Sequence, residues 1–185
     1  MYPVLRFVAT ILRARRAPAL GPLDTHVSHH RCWPGDIDPW MELNNGRTLT
    51  LFDLGRIGFG LRAGLMTALR ARGWGLAVAG ASVRYRRRVT LFQRIEMRTR
   101  CAGWDDRFVY VVQSMWVDGT CTSEALLRTA VTSNRRAVPP AEVMAAMGHD
   151  RPAPAMPDWI AAWIAAEATR PWPPMDIPEG HRPPG

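Results

Sequence analysis

The chain has 185 residues, 47% hydrophobic and 22% charged, which allows one ordinary core and argues against wholesale disorder. Its formal net charge is +8 and all its basic residues are Arg, so no lysine nucleophile or Schiff base is available. No apolar run approaches the ~18 residues of a membrane span, and three widely spaced cysteines (Cys32, Cys101, Cys121) fit neither a disulfide framework nor a zinc site.

In chain order, Val4, Leu5, Phe7, Val8, Ile11 and Leu12 interleave with Arg6, Arg13, Arg15 and Arg16, the pattern of a short amphipathic helix over residues 1–16. Its charges follow the apolar run rather than precede it, unlike a secretory signal. Packing on the domain or on a partner subunit is expected of it, with contact to an anionic membrane surface as the alternative. Residues 25–33 read as a strand that puts His26 and His30 on one face and His29 on the other. No Cys or carboxylate nearby completes a ligand set, and no metal is expected.

A turn-rich stretch, Pro34-Gly35-Asp36-Ile37-Asp38-Pro39, precedes a long helix from Arg47 to about Ala63. Asn44 or Asn45 can cap it, accepting a free backbone N–H. Gly55, Gly58 and Gly60 each cost helix stability, about 1 kcal/mol relative to Ala, which suggests close approach to another element such as a sheet. A second short helix follows over residues 65–72, closed by Gly73. From Trp74 the period becomes two. Strands are expected over residues 76–89 (bent at Gly80), 92–101, 107–117 and 121–133, with Asp118-Gly119 as a hairpin turn. They are read as an antiparallel meander of four. Short helices near 140–147 and around Trp159, Ile160, Trp163 and Ile164 follow, then a proline-rich run from Arg170 to Gly185.

No nucleophile elbow or phosphate loop appears. The densest polar constellation is Asp36, Asp38, Glu42, Asn44 and Asn45, just ahead of the glycine-rich helix. A helix N-terminus offers unpaired N–H groups that can hold an oxyanion, and a carboxylate upstream can activate water or attack directly. Asp and Asn are also ordinary turn and cap residues, so local chemistry leaves both readings open. Arg84, Arg86 and Arg88 share one face at strand spacing and, with Arg87, form the strongest charge cluster; guanidinium groups bind phosphate bidentately.

The joint spacing of Gly35-Asp36-Ile37-Asp38-Pro39, Leu43-Asn44-Asn45-Gly46-Arg47-Thr48-Leu49 and Phe52-Asp53-Leu54-Gly55-Arg56 resembles the signature of hotdog-fold acyl-CoA thioesterases of the 4-hydroxybenzoyl-CoA thioesterase type. Gly103-Trp104-Asp105-Asp106-Arg107-Phe108 resembles a stretch of one subgroup of them. The likeness runs over about residues 25–147. It implies an α+β hotdog fold, a long central helix wrapped by an antiparallel sheet of about five strands. Taken with the residue patterns on either side, the chain divides into residues 1–20, an N-terminal amphipathic helix, 21–148, the hotdog domain, and 149–185, a C-terminal helix and Pro-rich tail.

For the site, the resemblance makes Asp38 the catalytic carboxylate and matches Asn45 and Gly46 to the backbone donors that polarise the thioester carbonyl. Asn44 shapes the turn, and Asp53 and Arg56 form a structural pair. Glu42 stands where the family usually has His, and Thr48 where it has Tyr. A second carboxylate beside Asp38 would raise the pKa of one of the two by repulsion, dividing acid and base roles or impairing the usual chemistry. Arg84, Arg86 and Arg88 are expected to meet the phosphates of coenzyme A. The function implied is hydrolysis of an acyl-CoA thioester, with a non-catalytic acyl or lipid binder as the alternative. No cofactor beyond the substrate's coenzyme A, no nucleic-acid partner and a homodimer or homotetramer are expected. The composition, read as GC-rich codon usage, suggests a bacterial protein, and the three unpaired-looking cysteines suggest a reducing, cytoplasmic compartment.

Overall fold

The computed structural model describes residues 3–171, and the proline-rich run beyond residue 171 lies outside the described residues. The chain divides into two compact units, Met1–Pro154 and Ala155–Gly185. In the first, α1 (Val4–Arg16) leads to β1 (His26–Arg31), then to α2 (Asn45–Arg62) and α3 (Leu65–Arg72). Five more strands follow: β2 (Gly75–Tyr85), β3 (Arg94–Trp104), β4 (Val109–Val117), β5 (Thr120–Ser133) and β6 (Arg136–Val138). The unit closes with α4 (Pro140–Ala146); the second unit holds α5 (Asp158–Ala168). Among the described residues no helix is long and apolar enough to cross a membrane.

The sheet is antiparallel with the order β1-β3-β4-β5-β2, and β6 pairs only with the end of β5. The strands therefore do not form the four-strand meander that chain order suggested. β3, β4 and β5 are consecutive hairpins, but β2 lies on the far side of β5 and β1 takes the place beside β3. Hairpin chemistry explains the consecutive part. Asp118 (φ 47°) and Gly119 (φ 74°) form the two-residue loop between Val117 and its partner Thr120, both left-handed as a primed turn requires. No such turn joins β2 to β3. Their link contains Arg86-Arg87-Arg88, whose first two N–H groups both donate to Thr122 O, at 2.8 and 3.1 Å.

α2 is the helix around which this sheet is built, as a hotdog requires. Its Leu51, Phe52 and Leu54 are at most 1% exposed and pack with Ile95 and Met97 of β3, Met115 of β4 and Leu127 of β5. One row of polar groups crosses this core. Arg56 Nη1 donates to Gln113 Oε1 at 2.8 Å, and Gln113 Nε2 donates to Phe52 O and Thr99 Oγ1 at 2.8 and 2.9 Å. A buried glutamine is tolerated only when so satisfied.

The helix glycines are spacers for this packing. A Cβ on Gly55 would fall on Met97 Sδ and within 3.0 Å of Gln113 Nε2 and Thr99 Oγ1; one on Gly58 would sit 2.7 Å from His26 Nε2. Gly55→Ala is therefore expected to destabilise the chain by about 1–3 kcal/mol through overpacking, despite the better helix propensity of alanine. Chemical denaturation reads this directly, and an unchanged or raised midpoint would contradict the packing.

Candidate active site

The segment between β1 and α2 folds back on itself as a small hairpin. Asn44 N–H donates to Asp36 O and Asp38 N–H to Glu42 O, both at 2.9 Å, while Met41 N–H closes on Asp38 O at 3.0 Å. Pro39 and Trp40 form its tip, followed by Met41 at φ 60°. Asp36 anchors the base. It is 1% exposed and accepts from Arg6 Nη2 at 2.6 Å, Arg47 Nε at 3.0 Å and Trp33 N–H at 2.9 Å. Burial alone would raise its pKa. The bond from Arg6, with Trp33 N–H and Arg47, outweighs burial and holds the carboxyl below its ordinary value.

Asp38, two residues on, is oriented but not consumed. Its Oδ1 accepts from Trp40 N–H at 2.9 Å and Glu42 N–H at 3.3 Å, whereas Oδ2 has no hydrogen-bond partner among the described residues. At the start of α2, Asn44 Oδ1 accepts from Gly46 N–H at 2.8 Å and Arg47 N–H at 3.3 Å. Gly46 was expected to offer a free donor; the Asn44 cap claims it, since capping is what Asn does best at that position. Asn45 N–H has no acceptor among the described residues and is the donor left open.

A cleft of about 250 Å³ opens beside this terminus, lined by Glu42, Asn45, Thr48, Tyr85, Arg86, Arg87 and Arg88 among others. The structure thus brings Glu42, Asn45, Arg86 and Arg88 together. Asp38, Asn44 and Gly46 belong to the same hairpin and helix start but do not line the cleft. Arg84 is not part of it either. The strand expected to run to Val89 ends at Tyr85, so the period of two lapses after Arg84, which sits opposite Glu124 in the β2–β5 register. Arg87 takes its place. Glu42 turns its carboxylate to Arg88 Nε at 3.0 Å, an ion pair across the cleft rather than a partner for Asp38.

A second cavity, about 180 Å³ and mostly apolar, lies between α2, α3 and the sheet. Ile57, Phe59, Leu76, Val111 and Met144 line it, and so do Asp53 and Arg56. Those two form the expected pair, Arg56 Nη2 to Asp53 Oδ1 at 3.0 Å, but they also face this cavity, which a purely structural reading misses. The signal was available: Asp53 interrupts the apolar run Leu51-Phe52-Asp53-Leu54. The two cavities share no lining residue. Asp105, in the Gly103–Phe108 motif, is a turn residue here. It accepts from Arg107 N–H, Phe108 N–H (both 2.7 Å) and Tyr110 OH (2.5 Å).

Residues 32–164 match the family described as the thioesterase-like superfamily. Among curated proteins, the chain is 34% identical over 110 residues to "Protein THEM6" of Xenopus laevis, covering 59% of this chain and 53% of the relative. It is 27% identical over 146 residues to "Protein THEM6" of Drosophila melanogaster, covering 77% and 74%. It spans about half the length of the frog and Danio rerio relatives, 53% and 48%. Among solved structures, a hypothetical protein from Thermus thermophilus shares the fold with a TM-score of 0.60 at 21% identity, over 66% of this chain and 96% of that one. A 1,4-dihydroxy-2-naphthoyl-CoA thioesterase from Synechocystis does so at 0.57 and 12% identity, over 70% and 100%. The expectation of a bacterial chain is corrected by the frog, fish and fly relatives. Replacing lysine by arginine follows base composition, which does not distinguish kingdoms.

Proposed function

We propose that this chain, which belongs to the thioesterase-like superfamily, hydrolyses an acyl-CoA thioester to a free acid and coenzyme A. The observation that carries the reading is the meeting, in one cleft, of the open donor Asn45 N–H with Arg86, Arg87 and Arg88. The arginines suit the phosphates of the nucleotide. Asn45 N–H, at the positive end of α2, suits a carbonyl oxygen as it gains charge. Asp38 lies on the hairpin beside the cleft rather than in its lining, so its Oδ2 acts through a water reaching between the hairpin and the carbonyl: it takes a proton from that water, the hydroxide adds to the carbonyl carbon, and collapse of the tetrahedral intermediate breaks the C–S bond. The sulfur leaves and takes up the proton. The cleft alone is too small for acyl and nucleotide together, and the acyl group's natural place is the apolar cavity. The reading therefore includes a second copy of the chain, docked on the edge strand β2, where Leu76 and Val78 are 44% and 52% exposed.

Thiol release from a panel of acyl-CoA substrates tests this reading. Arg86→Gln/Arg88→Gln is expected to raise KM by about tenfold or more, the value of one charge-assisted contact, with little change in kcat. An unchanged KM removes the arginines from the nucleotide site. A second reading keeps the activity but moves the base. Asp53 is the one carboxylate among the residues lining the apolar cavity, and activity that survives Asp38→Asn but not Asp53→Asn selects it.

A further inference from the structure

On the opposite edge of the sheet from β2, α1 and β1 enclose a groove of about 720 Å³, the volume range of small-molecule sites. No Asp or Glu lines it, whereas Arg6, Arg13, Arg31, Arg62 and Arg94 do, with His26, His29 and His30. The carboxylates within reach are already engaged: Asp36 is shared between Arg6 and Arg47, and Glu96 lies 2.7 Å from Arg98 and 3.9 Å from His29. Arg62 gives its Nε to Pro18 O and its Nη1 to His26 Nδ1. No carboxylate among the described residues pairs with Arg13, Arg31 or Arg94.

Two further features make this more than an ordinary basic surface. Arg31 and Arg94 are directly opposite each other in the β1–β3 register, a like-charge pairing that weakens a sheet. Arg6 Nη1 is buried with no hydrogen-bond partner. Two of the histidines, His30 and His26, respond to the same field. Burial, then Arg6 and Arg13 among its neighbours, push His30 down to about 4; burial and Arg62 do the same to His26. At neutral pH His26 and His30 are therefore uncharged, and the permanent cations of the groove are its arginines. Leu5, Ala9, Val27 and Trp33 give the groove an apolar side.

We infer that the α1–β1 groove is a second binding site, for a phosphate-bearing ligand with an apolar tail, whose phosphate sits between Arg31 and Arg94. A phosphate monoester supplies the two negative charges that opposed guanidinium groups ask for, and accepts from both at once. The site stands apart from the Arg86–Arg88 cleft and does not depend on the proposed hydrolysis.

Calorimetric titration of the full chain with dodecyl phosphate below its micellar concentration tests this, beside inorganic pyrophosphate and the uncharged dodecyl maltoside. Saturable binding of dodecyl phosphate, weakened tenfold or more in Arg31→Gln/Arg94→Gln, is the expected result. Binding is retained in Arg86→Gln/Arg88→Gln. Pyrophosphate that binds as tightly overturns the apolar tail and leaves only a site for a small free anion. Thermal unfolding without ligand keeps loss of binding distinct from loss of fold, because removing opposed like charges leaves Tm equal or higher. Failure of both anions to bind, equal binding of dodecyl maltoside, full binding by Arg31→Gln/Arg94→Gln, or loss in the Arg86→Gln/Arg88→Gln variant overturns the proposal.

Discussion

Asp38→Asn is expected to lower acyl-CoA turnover by about 10²–10⁴-fold, the usual worth of a positioned general base, while leaving the fold intact. The amide is nearly isosteric, and its oxygen can still accept from Trp40 N–H and Glu42 N–H, the two bonds that hold Asp38 Oδ1. What is lost is the basicity of Oδ2, the oxygen without a partner. Near-normal unfolding combined with a collapse of kcat is thus the signature. Glu42→Gln should be far milder. Its carboxylate faces Arg88, which is 75% exposed, and pairs that open to solvent contribute little. If Asp38→Asn turns over normally, the hairpin is a turn and nothing more, and the base must be sought at Asp53.

Asp36→Ala should do the reverse, costing stability rather than chemistry first. The carboxylate is 1% exposed and joins three segments: Arg6 from α1, Arg47 from α2 and the Trp33 N–H that opens the hairpin. Deleting one partner of a buried ion pair costs about 3–5 kcal/mol. Arg6 and Arg47 keep 22% and 25% exposure and can recover some hydration, which places the loss toward the lower end. The pH dependence has a definite sign. The folded-state pKa of Asp36 lies below its ordinary value, so its contribution is complete above the usual carboxylate range and disappears as pH falls through the folded pKa. Denaturation midpoints across that acid window should slope less in Asp36→Ala than in the parent chain. Equal slopes and equal midpoints would show that α1 is held by something else.

The elements were readable because local signals agreed with the final packing. The three- and four-residue spacing of Leu49, Phe52, Leu54, Ile57 and Leu61 marks α2, although Leu49 is 41% exposed and Leu51 is buried instead; the alternation of Ile95, Met97, Thr99 and Cys101 marks β3, all four buried in the structure. Sheet order was not readable. Nothing local to residues 75–85 says that they pair with β5 rather than β3, because register is set by long-range burial. The site shows the same division. The polar run from Asp36 to Asn45 was visible as a constellation, but its two aspartates look alike in sequence and differ through distant partners, Arg6 thirty residues upstream and Arg47 eleven downstream. The Asn44 cap was legible from residue type, whereas the end of β2 at Tyr85 depends on hydrogen bonds that residue types alone do not determine. The acidless groove beside α1 exists only because distant arginines converge, so charge counting along the chain could not reveal it.

The most direct test mixes the purified chain with short, medium, long and aromatic acyl-CoA thioesters and measures, in the same samples, free thiol released and intact thioester retained. Hydrolysis at the head of α2 predicts many equivalents of coenzyme A released per chain for at least one acyl class. Stoichiometric retention of intact thioester, with no thiol appearing, would make the chain an acyl binder and contradict the account.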